Sequence, residues 1–143
     1  MIIRDICKRD LPQLAALYEQ FWGEKSYPER MARQLEALER RGTHIVLGAE
    51  EDGKLLGSVM GIVCEELYGD CSPFLVLENM IVDRDCRRAG VGRALLAELE
   101  TRAKSRSCTQ MILVTEKSRT AACAFYESAG FAPDKNTGYK KKL

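Results

Sequence analysis

The sequence holds a single histidine, His44, and none of its six cysteines stands in a C-x-x-C pair. Structural and catalytic zinc sites need ligands clustered at short spacings. Cys7, Cys64, Cys71, Cys86, Cys108 and Cys123 offer no such cluster, so no metal is expected. In a reducing compartment, scattered thiols of this kind pack as small buried hydrophobes. An excess of one charge is also lacking. The chain carries 22 Lys and Arg against 21 Asp and Glu, a net charge of +1. No global field draws nucleic acid or lipid, so neither is expected as a partner and any anion site has to be local. No apolar run approaches the ~18 residues of a membrane span. Met1-Ile2-Ile3-Arg4-Asp5 lacks the apolar core of a signal peptide, and the chain reads as cytoplasmic. Internal repeats, low-complexity segments and linkers are absent as well. A single domain over residues 1–143 is therefore expected.

What is present is a regular alternation of elements. Ile2-Ile3-Arg4 has the pattern of a short first strand. Asp10 is placed to cap a helix with Leu11 and Pro12 in its first turn. Apolar residues at Leu11, Leu14, Ala15, Tyr18, Phe21 and Trp22 recur at helical spacing, and Gly23 ends the run. A second helix is expected from Pro28 to Arg41. Its few apolar residues place it on the surface, and Gly42 stops it. Strands follow over His44–Glu50 and Lys54–Leu67, joined by an Asp52-Gly53 turn of hairpin type, and a fourth over Phe74–Val82. A helix from about Gly90 to Lys104, a buried strand over Met111–Val114 and a helix over Thr120–Ser128 come next. Phe131-Ala132-Pro133 and Tyr139–Leu143 read as two short strands around a turn at 134–138. Early hairpins imply antiparallel pairing, and the later strand-helix-strand unit implies parallel pairing. The expectation is a mixed α/β fold, a largely antiparallel sheet of about six or seven strands flanked by four helices.

The most informative segment is Arg87-Arg88-Ala89-Gly90-Val91-Gly92-Arg93, between the fourth strand and the third helix. Glycines at a helix start let a ligand approach the backbone. The first N–H groups of a helix have no internal partner, and the positive end of its dipole points the same way. Phosphate groups suit such a place, and three arginines add charge. The Rossmann pattern G-x-G-x-x-G fails at Leu95, and the P-loop G-K-[ST] is missing.

Arg87-x-x-Gly90-x-Gly92 resembles the Q/R-x-x-G-x-G/A signature of the GNAT superfamily of acyl-CoA-dependent N-acyltransferases. Ala122-Cys123-Ala124-Phe125-Tyr126-Glu127-Ser128-Ala129-Gly130-Phe131 resembles that family's A-x-x-F-Y-x-x-x-G-F stretch. Order, spacing and context agree over about Leu75–Phe131. The resemblance implies acetyl-CoA as acyl donor. Its pyrophosphate would lie against Arg87, Arg88, Ala89, Gly90, Val91, Gly92 and Arg93, with Ala122 and Phe125 also on the cofactor. The backbone at Met80, Ile81 and Val82 would line the pantetheine and present an N–H to the thioester oxygen. Family members often carry Asn where Arg119 stands, and an arginine there is able to reach a cofactor phosphate instead.

The resemblance further implies direct attack by an amine, without an acetyl-enzyme. Glu78 is the unusual residue of the fourth strand, placed by alternation on one face with Phe74, Val76, Met80 and Val82. Burial would raise its pKa and suit it to accept the amine proton; pairing with a helix Arg or Lys is the structural alternative. Tyr126 matches the family tyrosine that protonates the leaving sulfur, with core packing as its alternative. Cys123 has no histidine near it in sequence to activate it, so packing is the better reading. His44, opening an apolar strand, reads as structural or exposed.

Little in the sequence names the acceptor. Trp22 and Tyr27 are candidates for an apolar wall, though Trp22 fits better as the end of the first helix's core stripe. Glu65, Glu66 and Asp70 lie near a hairpin end and suit a cationic amine or a solvated turn. Lys140-Lys141-Lys142 reads as a charged strand edge. The expectation is transfer of acetyl from acetyl-CoA to a primary amine of a small molecule, by a chain able to form a homodimer. The alternatives are acetylation of a protein N-terminus or lysine, and a non-catalytic acyl-CoA sensor.

Overall fold

Five strands form one sheet in order β1-β2-β3-β4-β5 in the computed structural model, which describes residues 1–133 and 137–143. They are β1 (Ile2–Asp5), β2 (His44–Glu51), β3 (Lys54–Cys64), β4 (Phe74–Val82) and β5 (Met111–Ile112). The first four pair antiparallel, and β5 joins β4 in parallel. The helices are α1 (Leu11–Trp22), α2 (Pro28–Arg41), α3 (Val91–Ser105) and α4 (Thr120–Ser128). The chain divides into two compact units, Met1–Ile112 and Leu113–Leu143. The first holds the sheet with α1, α2 and α3; the second holds α4. No helix among the described residues is long and apolar enough to cross a membrane.

The mixed α/β architecture is as expected, with fewer strands. Residues 131–133 and 137–143 are not in strands, and 134–136, the start of the expected turn, lie outside the described residues. β5 is two residues long and Ile112 is 40% exposed, so the fifth strand is neither as long nor as buried as its apolar run suggests. β3 ends at Cys64 rather than Leu67. Cys71 is exposed and the other five cysteines are half-buried, which corrects the expectation of buried thiols.

Each sheet face is covered. Ile6, Leu11, Leu14, Leu17, Leu35, Leu55 and Ile81 form one apolar cluster beneath α1 and α2. On the opposite face Leu95 and Leu99 of α3, both fully buried, press on β3 where it has no side chains. A Cβ built on Gly61 would lie 2.7 Å from Leu99 Cδ1, and one on Gly57 would lie 2.6 Å from the Ile81 carbonyl and 3.3 Å from Leu95 Cδ1. These glycines let helix and sheet approach closely.

Asp10 does not cap α1, the role its position suggests. A 3-10 turn over Lys8–Asp10 precedes the helix, and no side-chain cap bond forms at Asp10. Its carboxylate turns back and accepts from Arg4 Nη1 and Nη2 at 2.7 and 2.8 Å and from the Cys7 N–H at 2.8 Å. The Arg4 guanidinium is the main cause that holds this carboxyl well below the usual range, against the opposing effect of burial.

Candidate functional site

The alternation of β4 breaks in its middle. Met60 pairs with Glu78 and Ser58 with Ile81. Two residue steps on β3 thus oppose three on β4, a β-bulge at Asn79 and Met80. Asn79 takes φ +51°, a left-handed conformation that Asn tolerates better than most residues. The extra residue exchanges the faces. Leu77 pairs with Gly61, whose Cα faces Leu99 of α3, whereas Ile81 belongs to the cluster under α1 and α2. Glu78 therefore shares a face with Phe74 and Val76, as alternation requires, but Val82, opposite Gly57, has crossed to the α3 side. Glu78 is exposed, so the desolvation expected of it is absent.

The β4–β5 ladder contains only Leu75↔Met111 and Val76↔Ile112. From Leu77 to Val82 the strand has no pairing to β5. This stretch includes Met80, Ile81 and Val82, the positions assigned above to the pantetheine arm.

A built connection then leads to the glycine turn. Asp83 is buried, and its N–H donates to the Leu56 carbonyl at 2.8 Å. Its Oδ1 accepts from the Asp85 N–H at 3.0 Å, and Lys54 Nζ lies 3.2 Å from Oδ2. The Asp85 N–H chiefly, with Lys54, lowers the Asp83 pKa. The Arg84 N–H donates to Gln20 Oε1 of α1 at 3.0 Å. Asp83 and Asn79 are the residues that sequence reasoning missed. The spacing of Asp83 to Asp85 signals an Asx turn, whereas nothing in a run of strand-forming residues marks the bulge.

Arg87, Arg88, Ala89 and Gly90 are all exposed. Arg88 has φ +64° and Gly90 φ +82°, so the chain winds through two left-handed residues into α3. The first α3 bond runs from the Ala94 N–H to the Gly90 carbonyl at 3.0 Å. The N–H groups of Val91, Gly92 and Arg93 thus precede the hydrogen-bonded helix. A Cβ at Gly90 would meet nothing within 4 Å. The open approach, the helix start and the exposed Arg87, Arg88 and Arg93 suit a polyanionic ligand such as a pyrophosphate.

In the second unit, α4 carries Ala122, Phe125 and Tyr126, all half-buried. Tyr126 sits edge-on to Phe125 and Phe131, with ring centroids 5.2 and 5.8 Å away. Arg119 is the N-cap residue of α4, and its Nη1 lies 3.4 Å from Thr115 Oγ1. Cys123 Sγ is 3.7 Å from the Glu116 carbonyl. At the end of α1, Trp22 makes edge contacts with Tyr18 and Phe21 at 5.2 and 4.7 Å but is 47% exposed. It does not complete the core stripe. Tyr27 is 52% exposed, with the Arg30 guanidinium 5.0 Å from its ring centre. No group of three or more His, Cys, Asp or Glu able to hold a metal occurs among the described residues.

The fourth strand of this α/β sheet is bulged, unpaired to β5 beyond Val76 and continued into a basic, glycine-led helix start. The Acetyltransferase (GNAT) family matches residues 11–131, and the chain belongs to that family. It is 28% identical over 144 residues to an L-methionine sulfoximine/L-methionine sulfone acetyltransferase of Pseudomonas paraeruginosa, covering 90% of this chain and 78% of that one. It is 44% identical over 55 residues to the [ribosomal protein bS18]-alanine N-acetyltransferase of Escherichia coli, covering 38% of this chain and 37% of that one. The chain spans less than half of two curated relatives that it matches, 44% of Bacillus subtilis YdhI and 37% of the alanine N-acetyltransferase. A putative acetyltransferase from Agrobacterium tumefaciens shares the fold, with a TM-score of 0.92 at 23% identity over the whole of both chains.

Proposed function

We propose that the two units act as one N-acetyltransferase domain, moving the acetyl group of acetyl-CoA to a primary amine of a small molecule. The observation that carries this reading is the helix start at Gly90, open where a Cβ would stand and flanked in sequence by the exposed Arg87, Arg88 and Arg93. There Ala89, Gly90, Val91 and Gly92 bring the backbone against the CoA pyrophosphate. Met80, Ile81 and Val82 line the pantetheine, and an N–H of the bulged strand stabilises the thioester oxygen as it gains charge. Ala122 and Phe125 pack on the cofactor, and Arg119 reaches one of its phosphates. The free amine attacks the carbonyl carbon, the C–S bond breaks, and CoA leaves as thiolate. Glu78, exposed on its strand, takes the amine proton through water, and Tyr126 donates to the departing sulfur. Trp22 and Tyr27 form the wall against which the acceptor packs.

Coverage supports a small-molecule acceptor over a protein one. The Pseudomonas relative, named for two amino-acid analogues, aligns over 90% of this chain. The ribosomal-protein relative aligns over 38%, and its 44% identity there supports the second reading, acetylation of a protein N-terminus. Release of free CoA with amino acids, amino sugars, polyamines and an alanine-led peptide tests both. Turnover of the peptide alone overturns the first reading, and no turnover with any amine overturns both.

A further inference from the structure

The loop between β3 and β4 carries a feature to which the proposed cofactor and catalytic residues do not belong. Between β3 and β4 the chain runs Glu65-Glu66-Leu67-Tyr68-Gly69-Asp70-Cys71. Leu67 is 94% exposed and Tyr68 84% exposed, an unusual position for two large apolar side chains side by side. The loop is shaped. Glu66 Oε1 accepts from the Leu67 N–H at 2.9 Å, and the Cys71 N–H donates to the Tyr68 carbonyl at 3.0 Å. Glu65, Glu66, Leu67 and Cys71 line a shallow depression with Val63 and Pro73. Arg106 also lines it, and its Nη1 donates to the Gly42 carbonyl at 2.7 Å.

We propose that this surface docks a lysine- or arginine-rich polypeptide segment that carries an apolar residue. Glu65 and Glu66 line the depression beside Leu67, and along the chain the exposed Glu65, Glu66 and Asp70 flank Leu67 and Tyr68 within six residues, so a segment covering the apolar pair meets acids. A cationic segment compensates their charge, and an acidic or neutral one leaves them facing apolar surface. The site lies before the first residue of β4, whereas the glycine turn follows its last. Docking here therefore stands independently of the cofactor reading.

A fluorescein-labelled peptide of sequence KLKKLK is the probe, its anisotropy read against the full chain. Saturable binding is expected at low salt, weakened at least about tenfold between 0.05 and 0.5 M NaCl, on the order expected for screened surface charges. Glu65→Lys with Glu66→Lys should weaken it at least about tenfold, and Leu67→Ser with Tyr68→Ser severalfold even at high salt. All four side chains are solvent-facing, and melting temperature verifies that the variants fold. Equal binding by the charge-reversed variant overturns the proposal, as does absence of binding at low salt. Concentration-dependent self-association that Leu67→Ser with Tyr68→Ser abolishes also overturns it, because a second copy would then be the occupant.

Discussion

Replacing Gly57 by alanine tests how the helix that follows the glycine turn is held against the sheet. The new Cβ would lie 2.6 Å from the Ile81 carbonyl oxygen, and 3.3 Å from both Leu95 Cδ1 and the Val82 Cα. Leu95 is able to shift by a few tenths of an ångström. The carbonyl belongs to the backbone of β4 beside the bulge and moves only if the strand does. Overpacking of this kind costs about 1–3 kcal/mol. Alanine stiffens the unfolded chain, which returns about 0.4–1 kcal/mol. The net loss is about 1–2 kcal/mol, a fall in Tm of roughly 3–8 °C for a chain of this size. Differential scanning fluorimetry measures it. The strain falls on Ile81 and Val82, so the stabilisation that acetyl-CoA confers on the folded chain should shrink as well. An alanine variant as stable as the parent, with an unchanged acetyl-CoA shift, would refute the close helix-sheet contact and its link to the site.

Gly90→Glu should abolish the acetyl-CoA melting shift, since it places a carboxylate at the anion site and a side chain at φ +82°; calorimetry showing unaltered affinity would locate the pyrophosphate elsewhere. Tyr126→Phe should lower kcat by about 10²–10⁴-fold with cofactor affinity retained, and parent-like turnover would remove the proton-donor role. Glu78→Gln should lower kcat most at low pH and be partly rescued as pH rises and the amine deprotonates in solution; loss of rate that no pH restores would assign Glu78 to structure. Asp10→Asn should cost about 2–3 kcal/mol at pH 7, because the Arg4 guanidinium loses a charged partner. The lowered pKa of Asp10 stabilises the fold above the ordinary carboxylate pKa of about 4, and that contribution fades as pH falls further. Urea titrations should therefore show the gap between parent and variant narrowing below about pH 4, and a gap constant with pH would refute the linkage.

Helical periodicity and capping made the helices legible in advance. Leu11–Trp22, Pro28–Arg41 and Thr120–Ser128 have the bounds that their stripes, Pro12, Pro28 and the terminal glycines imply. The turn into the third helix was legible for a similar reason, since glycines mark where a chain can take a left-handed step into a helix, as Gly90 does at φ +82°. Strands were read less well because their partners decide them. An apolar run such as Met111–Val114 becomes a ladder only where β4 supplies a neighbour, and that pairing includes only Met111 and Ile112. The exposure of Glu78 and the buried role of Asp83 were hidden for the same reason. Glu78 is exposed although it keeps the face that alternation gives it, and the role of Asp83 depends on contacts with Leu56 and Lys54, far away in sequence.

That bulge has a consequence for how the strand can change. Pairing on either side is set by Met60↔Glu78 and Ser58↔Ile81, and Val59 alone stands opposite both Asn79 and Met80. Excising Asn79 would leave Met80 opposite Val59 and every flanking pair in place. The strand would become regular with Leu77 and Ile81 still on their own faces. Asn79 is thus an insertion that the ladder does not require, a codon whose loss would straighten β4 without unpicking its core.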